Sequence, residues 1–144
     1  MSLDGRPRPG EDRDSAPWWK AVREHELLVQ ECGDCGRPRF PARAVCNRCR
    51  SLAWTWRRSR GTGRVYSWVV NHRAFLPGLA DEVPYTVVLV RLDEGAEHDD
   101  DLLFYGDLVD FDAAELREGL PVEAVFTDVP GEPATTLVRW RPRR

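Results

Sequence analysis

The chain has 144 residues, of which 42% are hydrophobic and 31% are charged, and its formal net charge is −3. This length is typical of one domain, and the apolar content is sufficient for a sizeable core. The nearly neutral balance excludes a uniformly basic nucleic-acid binder, and the composition excludes an acidic disordered tail.

The chain opens with residues 1–14, which we predict to be a disordered arm. This segment is rich in charged residues, Pro and Gly and has almost no apolar side chain. It also lacks the apolar core of a signal peptide. No later apolar run approaches ~20 residues, so the sequence contains no predicted membrane span. We therefore expect a cytoplasmic protein.

A short helix is predicted next. Ser15 is a favourable N-cap residue, and Pro17 suits the first turn of a helix. Trp18 begins a set of apolar residues at helical spacing, which predicts a helix over 15–25. Segment 27–29 leads into the first cysteine, either as a short strand or as the last turn of the helix.

The four cysteines form two Cys-x2-Cys pairs separated by ten residues: Cys32, Cys35, Cys46 and Cys49. Structural disulfides are rare in a reducing cytoplasm, whereas two such pairs supply the four soft ligands of tetrahedral zinc. The alternatives are unrelated core thiols or two redox pairs. Because four thiolates fill the coordination sphere, we predict a structural Zn²⁺ with no open position for a substrate.

The pattern changes to β-structure from residue 53 onward. Segments rich in Val, Thr, Trp, Tyr and Phe alternate with Gly, Pro or acidic clusters. The predicted strands are 53–60, 64–73, 85–93, 102–109, 121–128 and 135–141. About five barrel strands with one short helix at 112–119 favour a mainly β fold with a five-stranded OB-like barrel. The predicted organisation is a disordered arm (1–14), a helix and lead-in (15–31), a zinc ribbon (32–52) and the barrel (53–144).

Five motifs follow one another in a recognisable order: a Trp-containing helix, Cys-x2-Cys-Gly, an Arg/Phe/Pro stretch at 37–46, a second Cys-x2-Cys, and Gly61-x-Gly63-x-Val65-Tyr66-Ser67. Together they resemble the DUF35 family, in which a rubredoxin-like zinc ribbon precedes an OB-fold. The resemblance extends from about Ser15 to Trp140. Segment 119–129 is also similar to the family's Gly-x-Pro-Val lead into the fourth barrel strand.

This resemblance implies a non-catalytic subunit of an acyl-CoA enzyme. Proteins of the family are obligate partners of thiolase-like enzymes, among them the lipid-transfer-protein-like aldolases of bacterial steroid side-chain degradation, as in cholesterol catabolism. We therefore expect a required subunit of an aldolase (lyase) complex, in a hetero-oligomer such as α2β2. The family can be fused to a hot-dog-fold hydratase, so the chain is either a separate subunit or part of such a fusion. The alternatives are a single-stranded nucleic-acid-binding module and a stand-alone acyl-CoA-binding protein.

The positive charge is concentrated between Arg37 and Arg64, a segment with nine Arg and no Asp or Glu. Arg binds phosphate through paired N–H groups, and the CoA moiety carries several phosphates. The candidate CoA-binding residues are Arg37, Arg39, Arg43 and Arg48. Alternatively, these residues pair with acids on the barrel or on a partner, or bind nucleic acid. Residues 74–144 hold 6 Lys+Arg against 16 Asp+Glu, which argues against a continuous phosphate track.

A subunit that functions only in a complex must present apolar surface that its own core does not use. Trp18 and Trp19 are adjacent, so one helix cannot bury both against the same surface, and one of them is a candidate interface residue. The loop 74–84 adds three candidates around a Pro-Gly turn: Phe75, Leu76 and Leu79. The alternative is that this loop is a lid over one end of the barrel.

The sequence shows no catalytic set. The three histidines, His25, His72 and His98, have no Ser or Cys at motif spacing, and the cysteines are assigned to zinc. We therefore expect no catalytic residue in this chain, with structural zinc as its cofactor and acyl-CoA as a possible ligand.

Overall fold

The computed structural model describes residues 5–144 and is mainly β. A three-stranded sheet and a closed five-stranded barrel account for most of its regular structure. Within this range no helix is long and apolar enough to cross a membrane. The elements are α1 (Ala16–Arg23), β1 (Leu28–Cys32), β2 (Pro38–Arg39), β3 (Trp54–Arg58), β4 (Thr62–Asn71), β5 (Tyr85–Leu92), α2 (Asp93–Ala96), β6 (Leu103–Leu108), β7 (Pro121–Val129) and β8 (Thr135–Pro142).

Helix α1 begins after Ser15, and the chain leaves it at His25, whose backbone is left-handed with a φ of 60°. Trp18 lies on its buried face and donates its indole N–H to the carbonyl of Leu28, 2.9 Å away. This hydrogen bond joins the helix to the first residue of β1. The helix predicted over 15–25 is confirmed, and the lead-in to the first cysteine is a strand.

The small sheet has the order β2–β1–β3, and β1 is its central strand. The antiparallel pairing with β3 runs from Leu28 opposite Arg58 to Cys32 opposite Trp54. The sequence predicts that the barrel begins at residue 53, which would make β3 a barrel strand. In the structure β3 belongs to the ribbon sheet instead. An alternating pattern of side chains reveals a strand but not which neighbour the strand pairs with, which explains the difference.

The barrel has the strand order β4–β5–β6–β8–β7 and is closed by pairing between β4 and β7. This is the five-stranded barrel that the sequence predicts. Strands β6 and β8 meet in parallel at a single pair, Leu108 opposite Trp140, and the other pairings are antiparallel. The helix predicted over 112–119 is reduced to one 3-10 turn, Ala113–Glu115, which Asp112 caps.

One aromatic cluster joins the helix, the ribbon and the barrel. Phe104 of β6 stacks on Phe40 with 4.4 Å between ring centroids, and its ring lies 5.9 Å from that of Trp18. On its other side Phe104 meets Trp140 edge-to-face at 5.8 Å. The three parts of the chain therefore share one core, and each part depends on the others for its burial.

Residues 5–14 precede α1 and contain no helix or strand. Arg6 forms ion pairs with Glu82 and with Asp107, and its Nη1 lies 2.8 Å from the latter carboxylate. Arg8 donates to the carbonyl of Pro133 at 2.9 Å. This part of the arm, which the sequence predicts to be disordered, therefore makes specific polar contacts with the barrel, and residues 1–4 of that prediction lie outside the described residues.

The packing around Trp140 gives the first prediction. A methyl group at Gly106 would lie 2.7 Å from Cδ1 of the completely buried Trp140, so Gly106→Ala should lower the free energy of unfolding by ~1–3 kcal/mol. Gly10→Ala is the control, because nothing lies within 4 Å of the added carbon. Chemical denaturation compares the variants, and equal stability of the two would contradict the close packing.

Candidate metal centre and interaction surface

The four cysteine sulfurs converge at the end of the ribbon sheet, all within 4.8 Å of one another. The Sγ atoms of Cys32 and Cys49 are 3.5 Å apart, and those of Cys35 and Cys46 are 3.7 Å apart. Four sulfurs at about 2.3 Å from a tetrahedral zinc ion are separated by about 3.8 Å. The two knuckles therefore already hold the spacing that a tetrahedral Zn²⁺ requires.

Two equivalent turns give the site this shape. After the first pair, the amide of Gly36 donates to the carbonyl of Cys32 at 3.0 Å, with a φ of 71° at the glycine. After the second pair, the amide of Arg50 donates to the carbonyl of Cys46 at 2.9 Å, with a φ of 63°. A non-glycine residue in this left-handed conformation costs about 1 kcal/mol or more, so the second turn is held by its surroundings.

The cysteine thiols of the site differ in pKa. The amide of Cys35 lies 3.5 Å from the sulfur of Cys32 and, with a second backbone amide, lowers the pKa of Cys32 to about 6. The amide of Cys49 likewise lowers the pKa of Cys46. The Ser51 amide also favours the Cys49 thiolate, but lost hydration and hydrogen bonds with the other sulfurs outweigh it and raise the pKa of Cys49 to about 12. Four thiolates this close together require a cation among them.

The donor set fits zinc and gives the ion a structural role. Within the part of the chain that the structure describes, these cysteines are the one group of three or more side chains that could hold a metal ion. Four sulfur ligands leave no coordination position for water or substrate. When bound, the ion would cross-link the end of β1 to the segment that precedes β3, and its binding would contribute to the folding free energy of the ribbon.

The acidic segment 93–101 pairs with much of the basic run. Arg37 lies 2.6 Å from a carboxylate oxygen of Asp100. Arg57 and Arg60 both approach Glu97, at 3.0 Å and 2.9 Å. Three arginines of the basic run are therefore paired within the chain. Their ion pairs join the ribbon, and the residues that follow β3, to the region around α2.

Of the four arginines proposed for CoA, the structure leaves two available. Arg37 is engaged by Asp100. Arg39 is buried, and it donates from Nε to Gln30 at 2.8 Å and from Nη2 to the carbonyl of Arg43 at 2.9 Å. The side chains of Arg43 and Arg48 are exposed and form no ion pair with any residue in 5–144.

The predicted interface residues separate into buried and exposed members. Trp18 is only 7% exposed and belongs to the core, so it cannot be an interface residue in this fold, and Trp19 is half-buried beside it. In the loop 74–84, Phe75 is 76% exposed and Leu76 is 41% exposed, whereas Leu79 is half-buried. A lid over the barrel would bury Phe75, so the exposed ring favours the interface interpretation.

The structure adds an apolar face that the sequence analysis missed. A shallow depression on the outside of β4, β5 and β6 is lined by Ser67, Trp68, Val69, Val87, Leu89 and Tyr105. Val69 is 58% exposed and Tyr105 is 69% exposed. The signal that could have found this face is that β4 has apolar residues on both of its sides.

Comparisons with known proteins agree with this geometry. Residues 19–55 match the family model of the ChsH2 rubredoxin-like zinc ribbon domain, and residues 56–127 match that of the ChsH2 C-terminal OB-fold domain. A solved structure described as the Ltp2-ChsH2(DUF35) aldolase superimposes with a TM-score of 0.78 at 33% identity, covering 94% of this chain and 98% of the matched chain. The chain belongs to the DUF35 family. The predicted combination of a four-cysteine zinc ribbon and an OB-fold is confirmed.

Two curated relatives of this DUF35 chain are longer proteins. A probable enoyl-CoA hydratase alpha subunit from Thermomonospora curvata is 36% identical over 95% of the chain, which covers 40% of that protein. A 3-oxo-4,17-pregnadiene-20-carboxyl-CoA hydratase alpha subunit from Mycobacterium tuberculosis is 34% identical over 99% of the chain, which covers 42% of that protein. The DUF35 chain thus spans about two fifths of the length of these relatives.

The metal centre gives the second prediction. Replacing Cys35 or Cys49 with Ser removes one sulfur ligand, so bound zinc should fall from about one ion per chain to well below that and the ribbon should unfold. Asn47→Ser is the control, because Asn47 is an exposed residue of the second knuckle without a sulfur. Metal analysis of the purified proteins is the measurement, and full zinc retention in both cysteine variants would contradict the four-sulfur site.

Proposed function

We propose that this DUF35 chain is a non-catalytic subunit that binds and stabilises a thiolase-like acyl-CoA enzyme. The observation that carries the proposal is the fold match to a chain of the Ltp2-ChsH2(DUF35) aldolase over 94% of the sequence. The preferred partner is an Ltp2-type steroid side-chain retro-aldolase, in an assembly such as α2β2. The proposed role is the same whether the chain acts as a separate subunit or as part of a longer hydratase alpha subunit.

The chemistry of the side chains supports a non-catalytic role. The four thiols face one another in the ribbon, where a metal ion would engage them all. His25, which could serve as a base, stacks on Phe126 at 5.4 Å and lies 3.0 Å from a carboxylate oxygen of Asp128. Such a pair holds the imidazole in place, but no Ser or Cys is hydrogen-bonded to it among the described residues. A partner would have to supply the reacting groups.

The exposed apolar surface supports a partner. Phe75 and Leu76 project from their loop, and Val69 and Tyr105 lie on the outer face of the barrel. Apolar side chains grouped on the surface of a small protein are typical of protein–protein contacts. A nucleic-acid module is less well supported, because three arginines of the basic run are paired with the acidic segment 93–101 and are not free to follow a phosphate backbone: Arg37, Arg57 and Arg60.

We further propose that Arg43 and Arg48 contact the phosphates of the CoA moiety in the complex. Both lie in the ribbon and both are exposed. A guanidinium that is not already paired can form charge-assisted hydrogen bonds to phosphate, each worth about 1.5–3 kcal/mol. Arg37 and Arg39 are weaker candidates for this role, because Asp100 and Gln30 already engage them.

A third prediction tests the proposed function directly. Co-expression of this chain with the Ltp2-type subunit encoded in the same genome should give a complex that cleaves the carbon–carbon bond of its acyl-CoA substrate. Each protein alone should give less than about one hundredth of that rate, since this chain has no activated nucleophile or acid–base pair. Size-exclusion chromatography and single-turnover assays are the measurements. Robust turnover by this chain alone, or the absence of any complex, would overturn the proposal.

A fourth prediction tests the CoA contact in the assembled enzyme. The double substitution Arg43→Ala and Arg48→Ala should raise the KM for the CoA thioester by about tenfold, with kcat little changed, because it removes binding to a part of the substrate remote from the reacting bond. The double substitution Arg117→Ala and Arg143→Ala makes the same charge change at exposed barrel positions. An equal KM for the two double variants would exclude the phosphate contact.

A further inference from the structure

Strand β4 has one edge without a partner. Its first residues pair with β7 through Thr62–Arg64, and the next residue, Val65, exchanges backbone hydrogen bonds with Leu120 and Gly119 at 2.9 Å and 2.8 Å. Beyond Val65 the strand continues to Asn71, but its pairing there is with β5 alone. Among the described residues, no backbone group is hydrogen-bonded to the other edge of segment 66–71.

The register of the sheet shows which backbone groups face this edge. On β5 the amide of Leu92 donates to Leu102, so residues of even number on β5 point their backbone groups toward β6 and residues of odd number point toward β4. Val87 is therefore hydrogen-bonded to Val69 across the ladder. The residues on either side of Val69 turn the opposite way, so the N–H and C=O groups of Trp68 and Val70 face the unpaired edge.

The side chains along the edge are apolar on both faces of the strand. Residues 66–70 are all exposed, and four of the five are Tyr, Trp or Val. Trp68 and Val70 lie on one face, while Val69 lies on the other beside the depression that contains Tyr105. An exposed edge strand in a monomeric protein is usually protected by Lys, Pro or inward-pointing charge. Segment 66–70 has none of these.

Two arginines determine what kind of strand can pair here. Arg64 and Arg73 flank the edge, both are exposed, and neither forms an ion pair with a residue in 5–144. If two copies of the chain paired antiparallel over 66–71, the end of the edge that carries Arg64 in one copy would meet the end that carries Arg73 in the other. Both ends of the ladder would then bring like charges together, which disfavours a second copy. The two arginines favour a segment with apolar residues at its centre and carboxylates at its ends.

We propose that the free edge of β4, residues 66–71, is the docking site for an extended segment of the thiolase-like enzyme, which adds to the barrel as a sixth strand. This inference rests on the proposed function. The segment has apolar side chains directed to both faces of the added strand, and acidic residues that reach Arg64 and Arg73. Main-chain hydrogen bonds to Trp68 and Val70 supply the affinity, and the apolar side chains supply the specificity.

The test uses a residue whose amide faces only the unpaired edge. Val70→Pro removes that N–H and leaves the ladder with β5 intact, because a proline on the solvent side of an edge strand costs no ladder hydrogen bond. Val70→Ala is the matched control, since it shortens the same side chain and keeps the amide. We expect Val70→Pro to weaken binding of the co-purified Ltp2-type subunit at least tenfold, and at least fivefold more than Val70→Ala, with zinc content and thermal stability unchanged.

A second measurement does not depend on the folding of a variant. In the wild-type complex, amide hydrogen exchange at Trp68 and Val70 should slow at least tenfold relative to the isolated chain. Unchanged exchange, or equal binding by the Pro and Ala variants, overturns the docking site while the proposed function stands. A dimer of the isolated chain that Val70→Pro dissolves also overturns it, because the occupant would then be a second copy. Failure of the wild-type proteins to associate removes the proposed function and this inference together.

Discussion

The convergence of four sulfurs is the constraint on which the ribbon depends. The ribbon sheet is small, and its outer strand β2 has only two residues, so few backbone hydrogen bonds hold the second knuckle against the first. Both knuckles turn through left-handed residues, and at the second this residue is Arg50 rather than glycine. A metal ion bound by the four thiols would offset the cost of these left-handed turns and would hold the two knuckles together. The exposed arginines of the ribbon can hold a defined position only when the two knuckles are held together in this way.

Two further interactions hold the ribbon in a fixed position against the barrel. Phe40 of the ribbon stacks on Phe104 of β6, so part of the ribbon is buried in the barrel's own core. The arginines that follow reach the acidic segment around α2, where Glu94 is almost completely buried and accepts a hydrogen bond from the amide of Arg60 at 2.6 Å. Such a hydrogen bond offsets part of the cost of burying a polar side chain. Part of the unequal charge of the two halves of the sequence is therefore neutralised by ion pairs within the chain.

The sequence was sufficient for features that depend on local chemistry or on period. The cysteine spacing predicted the metal site, and the β-rich segments predicted where along the chain the five barrel strands lie. The points that it missed or left open all concern partners distant in sequence: β3 pairs with β1, Arg37 and Arg39 are engaged within the chain, and Trp18, rather than Trp19, is the tryptophan that Phe40 and Phe104 bury. Alternation along β4 likewise could not show that its far end lacks a neighbour. Pairing and burial are properties of the assembled fold, which residue spacing does not encode.

The same assembly explains why the surface of this DUF35 chain suits a subunit better than an independent enzyme. Its polar groups are used to join the ribbon to the barrel, and its aromatic residues are used in the shared core. The surface also carries exposed apolar groups: Phe75 and Leu76 on a loop that Arg6 anchors through Glu82, and the strand face around Val69. These groups lie away from the closed metal site. Under the proposed function a second protein covers them, and the arginines beside the β4 edge restrict which protein can do so.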